Sequence, residues 1–205
     1  MSPRRAADLT LEHVLLALLD RAPMHGYELY QELCALKGIS LVWNIKQALL
    51  YALLDKLETR GLLASELVQG EAYPPRNTFH LTEEGRETLR AWYQTPVRRA
   101  RDFRQEFLAK LIVARRYGKS EALGLIRAQQ EACRSWQRDL SATAAVPGAP
   151  AAGTADEWLV HSFRLERVNG LLAWLGRVEV ETEQDFLEAE GRGSAPEEHP
   201  TPNLS

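Results

Sequence analysis

Cysteine is scarce in this sequence: Cys34 and Cys133 are the only two in 205 residues, and they lie far apart. A small secreted fold stapled by disulfides would carry more, so a reducing, cytoplasmic setting is expected. Long hydrophobic runs are missing too. No stretch reaches the roughly 20 apolar residues of a membrane helix, and no signal peptide is visible, so no membrane partner is expected. Positive charge is not in excess either. Lys and Arg number 25 against 28 Asp and Glu, a formal net charge of −3. That counts against nucleic-acid binding as a property of the whole surface; any phosphate contact needs local cations. There is no glycine-rich phosphate loop, no Cys or His spacing suited to zinc, and the five histidines are scattered. No catalytic residue, metal site or cofactor is expected.

What the sequence does contain is a dense pattern between positions 44 and 82. Asn44 suits a helix N-cap, residues 45–60 carry apolar positions at helical period, and Gly61 suits a left-handed exit. Two β-favouring runs, 62–68 and 78–81, flank a turn rich in breakers, 69–75. At about 100° per residue, Ile45, Leu49, Leu50, Leu53, Leu54 and Leu57 share one half of the helix. The other half opens with Gln47, Ala48 and Tyr51, while Asp55 and Glu58 lie further along and would repel phosphate. A helix followed by a two-stranded ribbon outlines a winged helix-turn-helix. Such a helix enters the major groove by its N-terminal residues. Gln can pair with a base edge and Tyr can donate to a phosphate. Lys46 in the first turn can reach a phosphate from the apolar side, and Arg76 at the wing base can meet the backbone or minor groove. Tyr27, at a helix start, is a further contact candidate. The candidate DNA set is therefore Tyr27, Asn44, Lys46, Gln47, Ala48, Tyr51 and Arg76; Lys56 and Arg60 read as solvated flank charges.

Upstream, a first helix is expected from Thr10 to Asp20 with Leu11, Val14, Leu15, Leu18 and Leu19 inward. A second spans about 25–37, and residues 39–43 are open to pairing as a third strand. Downstream, Thr82 should cap a fourth helix whose first turn holds Glu83 and Glu84. Here the sequence resembles a known family. Met24-His25-Gly26-Tyr27-Glu28-Leu29 looks like the opening of the second helix of PadR-type transcriptional regulators. Leu50-Tyr51, Leu54, Leu57-Glu58 and Gly61-Leu62 match the third helix and its exit. Arg76, Phe79 and Leu81-Thr82-Glu83-Glu84-Gly85 match the second wing strand and the helix after it. The resemblance covers about residues 9–95 closely and the rest more loosely. It implies a dimeric winged-helix repressor of double-stranded DNA, often released by a small ligand.

The second half reads as helices. Residues 102–117 carry Phe103, Phe107, Leu111 and Ala114 on one face. Residues 120–144 show Ala122, Ile126, Gln129, Cys133, Trp136 and Leu140 at heptad spacing. A linker rich in Ala, Pro and Gly, 145–154, leads to a last helix at about 155–180. Its stripe of Trp158, His161, Leu165, Val168, Leu172 and Leu175 is the candidate homodimer interface. A second row, Val160, Phe163, Leu171, Trp174 and Val178, is more than one hairpin can bury. Trp92, Phe103, Phe107 and Trp136, with Tyr93 beside them, are candidates to line an effector site, although aromatics at this spacing also suit plain core. The expected fold is mainly α with a small β wing, divided into a winged helix-turn-helix DNA-binding domain (1–95), a helical dimerisation domain (96–181) and an acidic, disordered tail (182–205). The alternative function is a winged-helix protein-interaction module without DNA binding.

Overall fold

A computed structural model of the chain describes residues 3–43, 45–68, 76–144 and 154–193. Helix α1 runs Pro3–Leu19. The expected start at Thr10 is corrected: Thr10 is a buried mid-helix residue. Pro3 at the first helical position costs no hydrogen bond. A two-residue strand β1, Met24–His25, precedes α2, Gly26–Ala35. The short helix α3, Lys37–Ser40, follows. Then come α4 (Gln47–Thr59), β2 (Leu63–Val68), β3 (Arg76–Leu81) and α5 (Glu83–Gln94).

The sheet has the antiparallel order β1-β3-β2. Its third strand is β1, with Met24 opposite Phe79 and His25 opposite Thr78. The expectation that residues 39–43 supply that strand is corrected. Ile39 is fully buried in a helical turn there, with the Val42 and Trp43 amides bonded back to its carbonyl. Helix α5 starts as expected: Thr82 Oγ1 accepts from the Gly85 amide at 3.1 Å and donates to the Gly61 carbonyl at 2.8 Å. Gly61 takes the left-handed conformation, φ 71°.

After α5 the chain turns through a 3₁₀ turn, Ala100–Asp102, and a π turn, Phe103–Phe107, into α6, Leu108–Tyr117. The wider π turn lets both Phe rings enter the core, 4.4 Å apart, each edge-on to Trp174. Helices α7 (Lys119–Ala144) and α8 (Ala155–Gly193) form an antiparallel hairpin. Its cross-links include Arg127 to Glu179, Gln130 to Glu179 and Gln137 to Asn169. Helix α8 is longer than the expected 155–180, so residues 182–193 are helix and the reading of a disordered tail is corrected for them. Thr182 is fully buried, and Arg115 pairs with Asp185 at 2.5 Å. Residues 194–205 lie outside the described set. No described helix is long and apolar enough to cross a membrane.

Helix α6 packs on α1, which joins the winged half to the helical half. Tyr117 on α6 donates to Asp20 at 2.7 Å and stacks on Tyr93. Nearby, His13 of α1 stacks on Trp92 of α5 at 4.6 Å. Burial is the main cause that holds its imidazole below the usual value of 6.5. The folded chain therefore binds fewer protons than the unfolded one just below that value. Stability from this residue is complete above pH 6.5 and falls as pH drops toward the lower folded value. In thermal melts between pH 7.5 and 5.5, on the order of two pH units, His13→Phe should lose part of the wild-type decline. Parallel curves for the two proteins would contradict this.

Candidate nucleic-acid interface

Helix α4 is held by Leu50, Leu53, Leu54 and Leu57, all buried, and it presents Gln47, Ala48, Tyr51 and Ala52 outward. Tyr51 is 44% exposed. Lys46 occupies the N-cap in an extended conformation and caps nothing with its side chain. The expected helix start at Ile45, capped by Asn44, is corrected. Ile45 lies before the helix, and its carbonyl accepts from Tyr30 Oη at 3.4 Å. Asn44 itself, both as cap and as DNA contact, lies outside the described residues.

Helix α2 meets α4 at this end. His25 caps α2, its Nδ1 accepting from the Glu28 amide at 3.1 Å. Tyr27 is 54% exposed. Gly26 is where the helices touch: a Cβ there would lie 2.6 Å from Tyr51 Cε1 and 2.9 Å from its hydroxyl oxygen. The Gly in Met24-His25-Gly26-Tyr27 thus leaves room for the ring of Tyr51, a role that composition did not reveal. Five of the seven candidate DNA residues, Tyr27, Lys46, Gln47, Ala48 and Tyr51, are exposed. Arg76 opens β3 opposite Val68, at the base of the wing. The wing tip, 69–75, lies outside the described residues.

Two cations are not where expected. The sequence puts Lys56 and Arg60 on a solvated flank, but both pair with the carboxylate of Glu12 on α1, Arg60 at 2.8 Å. Glu12 is only 1% exposed. Glu58, expected to repel phosphate, instead accepts from Ser65 of β2 at 2.6 Å. These bonds fix the far end of α4 to α1 and to the wing, and leave Lys46 as the cation at its free end.

The remaining candidates separate. Trp92 is covered by His13 on one side and has Lys110 Nζ 5.5 Å from its ring. Phe103 and Phe107 are core, which explains their helical spacing. Trp136 lines a cleft together with Leu140 and Val168. The dimer stripe is corrected in part. Val168 and Leu175 are buried within the protomer, and His161 bonds the Leu140 carbonyl at 2.7 Å. Half of that stripe is the seam between α7 and α8. Trp158 (68% exposed), Leu159, Val160 and Phe163 (65% exposed) form the open apolar face at the start of α8, and Leu165 and Leu172 are half-buried. Cys133 is buried, and burial pushes its thiol up, consistent with packing.

Residues 15–91 match the model of the transcriptional regulator PadR-like family. No curated protein matches the chain. Among solved structures, a Streptococcus mutans protein is 31% identical, over 40% of this chain and 71% of that one, with a TM-score of 0.34. Bacillus subtilis PadR in complex with operator DNA is 20% identical, over 82% and 97%, with a TM-score of 0.40. The same protein with p-coumaric acid is 20% identical, over 85% and 99%, with a TM-score of 0.37. Residues 15–91 of the chain therefore form a domain of the PadR-like family of transcriptional regulators.

Proposed function

We propose that this regulator binds specific double-stranded DNA through the opening turns of α4, as a cytoplasmic dimeric repressor that a small ligand releases. The carrying observation is the exposure of Gln47, Ala48 and Tyr51 on a helix whose opposite face is locked by four buried leucines. A rigid helix with a free amphipathic end is what base readout requires. Residues 1–95 form the DNA-binding domain in this reading, and 96–181 the dimerisation domain. The open apolar face at Trp158, Leu159, Val160 and Phe163 supports association with a second copy. Two such helices set about 34 Å apart would meet successive turns of one DNA face.

The test is the Gln47→Ala, Tyr51→Ala variant against fragments selected from the source genome. Loss of one base contact and one phosphate contact should weaken binding about 10- to 100-fold. Unchanged affinity rejects the site. One observation favours the second reading, a protein-interaction module: Lys56 and Arg60 are already spent on Glu12, and Asp55 faces solvent. Affinity without salt dependence would support that module, because phosphate contacts release counterions.

A further inference from the structure

We infer that Gln129 and Lys110 clamp the crossing between the two halves of the chain and so fix the angle at which the winged half is presented to DNA. They are positioning residues, remote from the recognition helix. The consequence at DNA rests on the dimeric reading above; the clamp itself does not. The chain leaves α5 at Gln94 and crosses through Thr95, Pro96 and Val97. None of these three lies in a helix or strand, so their backbone groups need other partners. The helical half supplies them. Gln129 of α7, fully buried, spends both ends of its amide on one residue. The Val97 N–H donates to Oε1 at 2.8 Å, and Nε2 donates to the Val97 carbonyl at 3.4 Å. Lys110 of α6, also buried, donates to the Thr95 carbonyl at 2.8 Å and pairs with Glu106 at 2.8 Å. Pro96, between the two held residues, has no N–H to satisfy and a fixed φ.

Apolar side chains could bury this crossing without orienting it, because burial is non-directional. Hydrogen bonds accept a narrow geometry. The buried ammonium and the buried amide satisfy the backbone only while Thr95 and Val97 keep their present places against α6 and α7. A rotated winged half would leave these groups unpaired in a dry site. Lys110 also lies 5.5 Å from the Trp92 ring, so one cation holds both the crossing and the last turn of α5. Two winged domains must reach successive turns of one DNA face together. An error of angle at each crossing therefore adds across the pair, and a stiff crossing makes the protein selective for one half-site spacing.

The experiment reads the crossing first without DNA, in the full chain. Spin labels sit on the native Cys34, exposed on α2, and on Gly124→Cys in α7, where a Cβ meets nothing within 4 Å. Labelled chain is diluted into unlabelled protein, so that only distances within one chain are read. The parent should give one narrow distance distribution. Gln129→Leu and, independently, Lys110→Met should each broaden it about twofold, as the winged half samples more than one angle. Leu57→Ala, a core truncation in α4 away from the crossing, is the control. It should lower the melting temperature and leave the width unchanged. Unchanged widths in both clamp variants overturn the proposal, as does equal broadening in the control. Selected operator duplexes are then lengthened by one base pair between half-sites. Wild type should lose about tenfold or more in affinity, the scale of one mismatched contact, and Gln129→Leu clearly less, while both bind an isolated half-site equally. Spacing selectivity as sharp in Gln129→Leu as in wild type also overturns the proposal. Broadened distances with no operator binding by wild type would reject the dimeric reading and leave the clamp standing.

Discussion

Replacing both Lys56 and Arg60 by Ala should destabilise the protein by about 3–5 kcal/mol, the usual cost of leaving a buried charge without its partner. The reason lies in Glu12, whose carboxylate is 1% exposed and receives both cations. The cations themselves are nearly half exposed, so removing either one alone should cost only about 1 kcal/mol. For a chain of this length the double variant should melt roughly 10 °C lower. Adding Glu12→Leu should recover most of the loss, because the stranded charge disappears and the volume is refilled. A double variant as stable as wild type would contradict the account, as would a triple variant no better than the double. Since these ion pairs tie the far end of α4 to α1, the double variant should also bind DNA less well at temperatures where it remains folded.

Gly85→Ala should be nearly as damaging, at about 3 kcal/mol, the upper end of ordinary overpacking. A Cβ on Gly85 would stand 2.0 Å from the backbone oxygen of Leu62 and 2.7 Å from Leu81 Cδ1. The Leu62 oxygen cannot retreat freely, since it already accepts from the Thr82 amide at 3.3 Å. Gly61, which precedes it, is tied to Thr82 Oγ1. This corner joins the end of α4 to the first wing strand, so the clash should displace the wing as well as lower the melting temperature. Gly124→Ala is the control: nothing lies within 4 Å of a Cβ there. Equal melting temperatures for the two variants would refute the clash.

The winged half was legible where short-range rules dominate. The leucine period of α4, the Thr82 cap, the Gly61 exit and the wing strands each follow from a few neighbouring residues. The pairing of Glu12 was not legible. A carboxylate in an otherwise apolar helix reads as the solvent edge of a stripe, but α1 is covered on more than one side, so Leu16 and Ala17 are buried as well. Its partners lie more than forty positions downstream. The third strand was missed because two residues, Met24 and His25, carry no alternation that could be read.

In the helical half, heptad spacing announced that α7 and α8 pack on something but not on what. The stripe of Val168 and Leu175 is filled by the chain's own helices; of the residues left open, Trp158 belongs to that stripe, Val160 and Phe163 to the neighbouring row and Leu159 to neither. The last turns of α8 look like an acidic tail in isolation; Arg115 and Arg127 from other helices meet Asp185 and Glu183 and make them helix.

The most direct measurement is selection from random DNA duplexes with wild type and with Gln47→Lys. Gln favours adenine and Lys favours guanine in the major groove, each by about 1–3 kcal/mol. If α4 reads bases from its first turn, the preferred base should change at one position in each half-site, with the half-site spacing and all other positions unchanged. Identical selected sequences for the two proteins would contradict the placement of Gln47 in the groove.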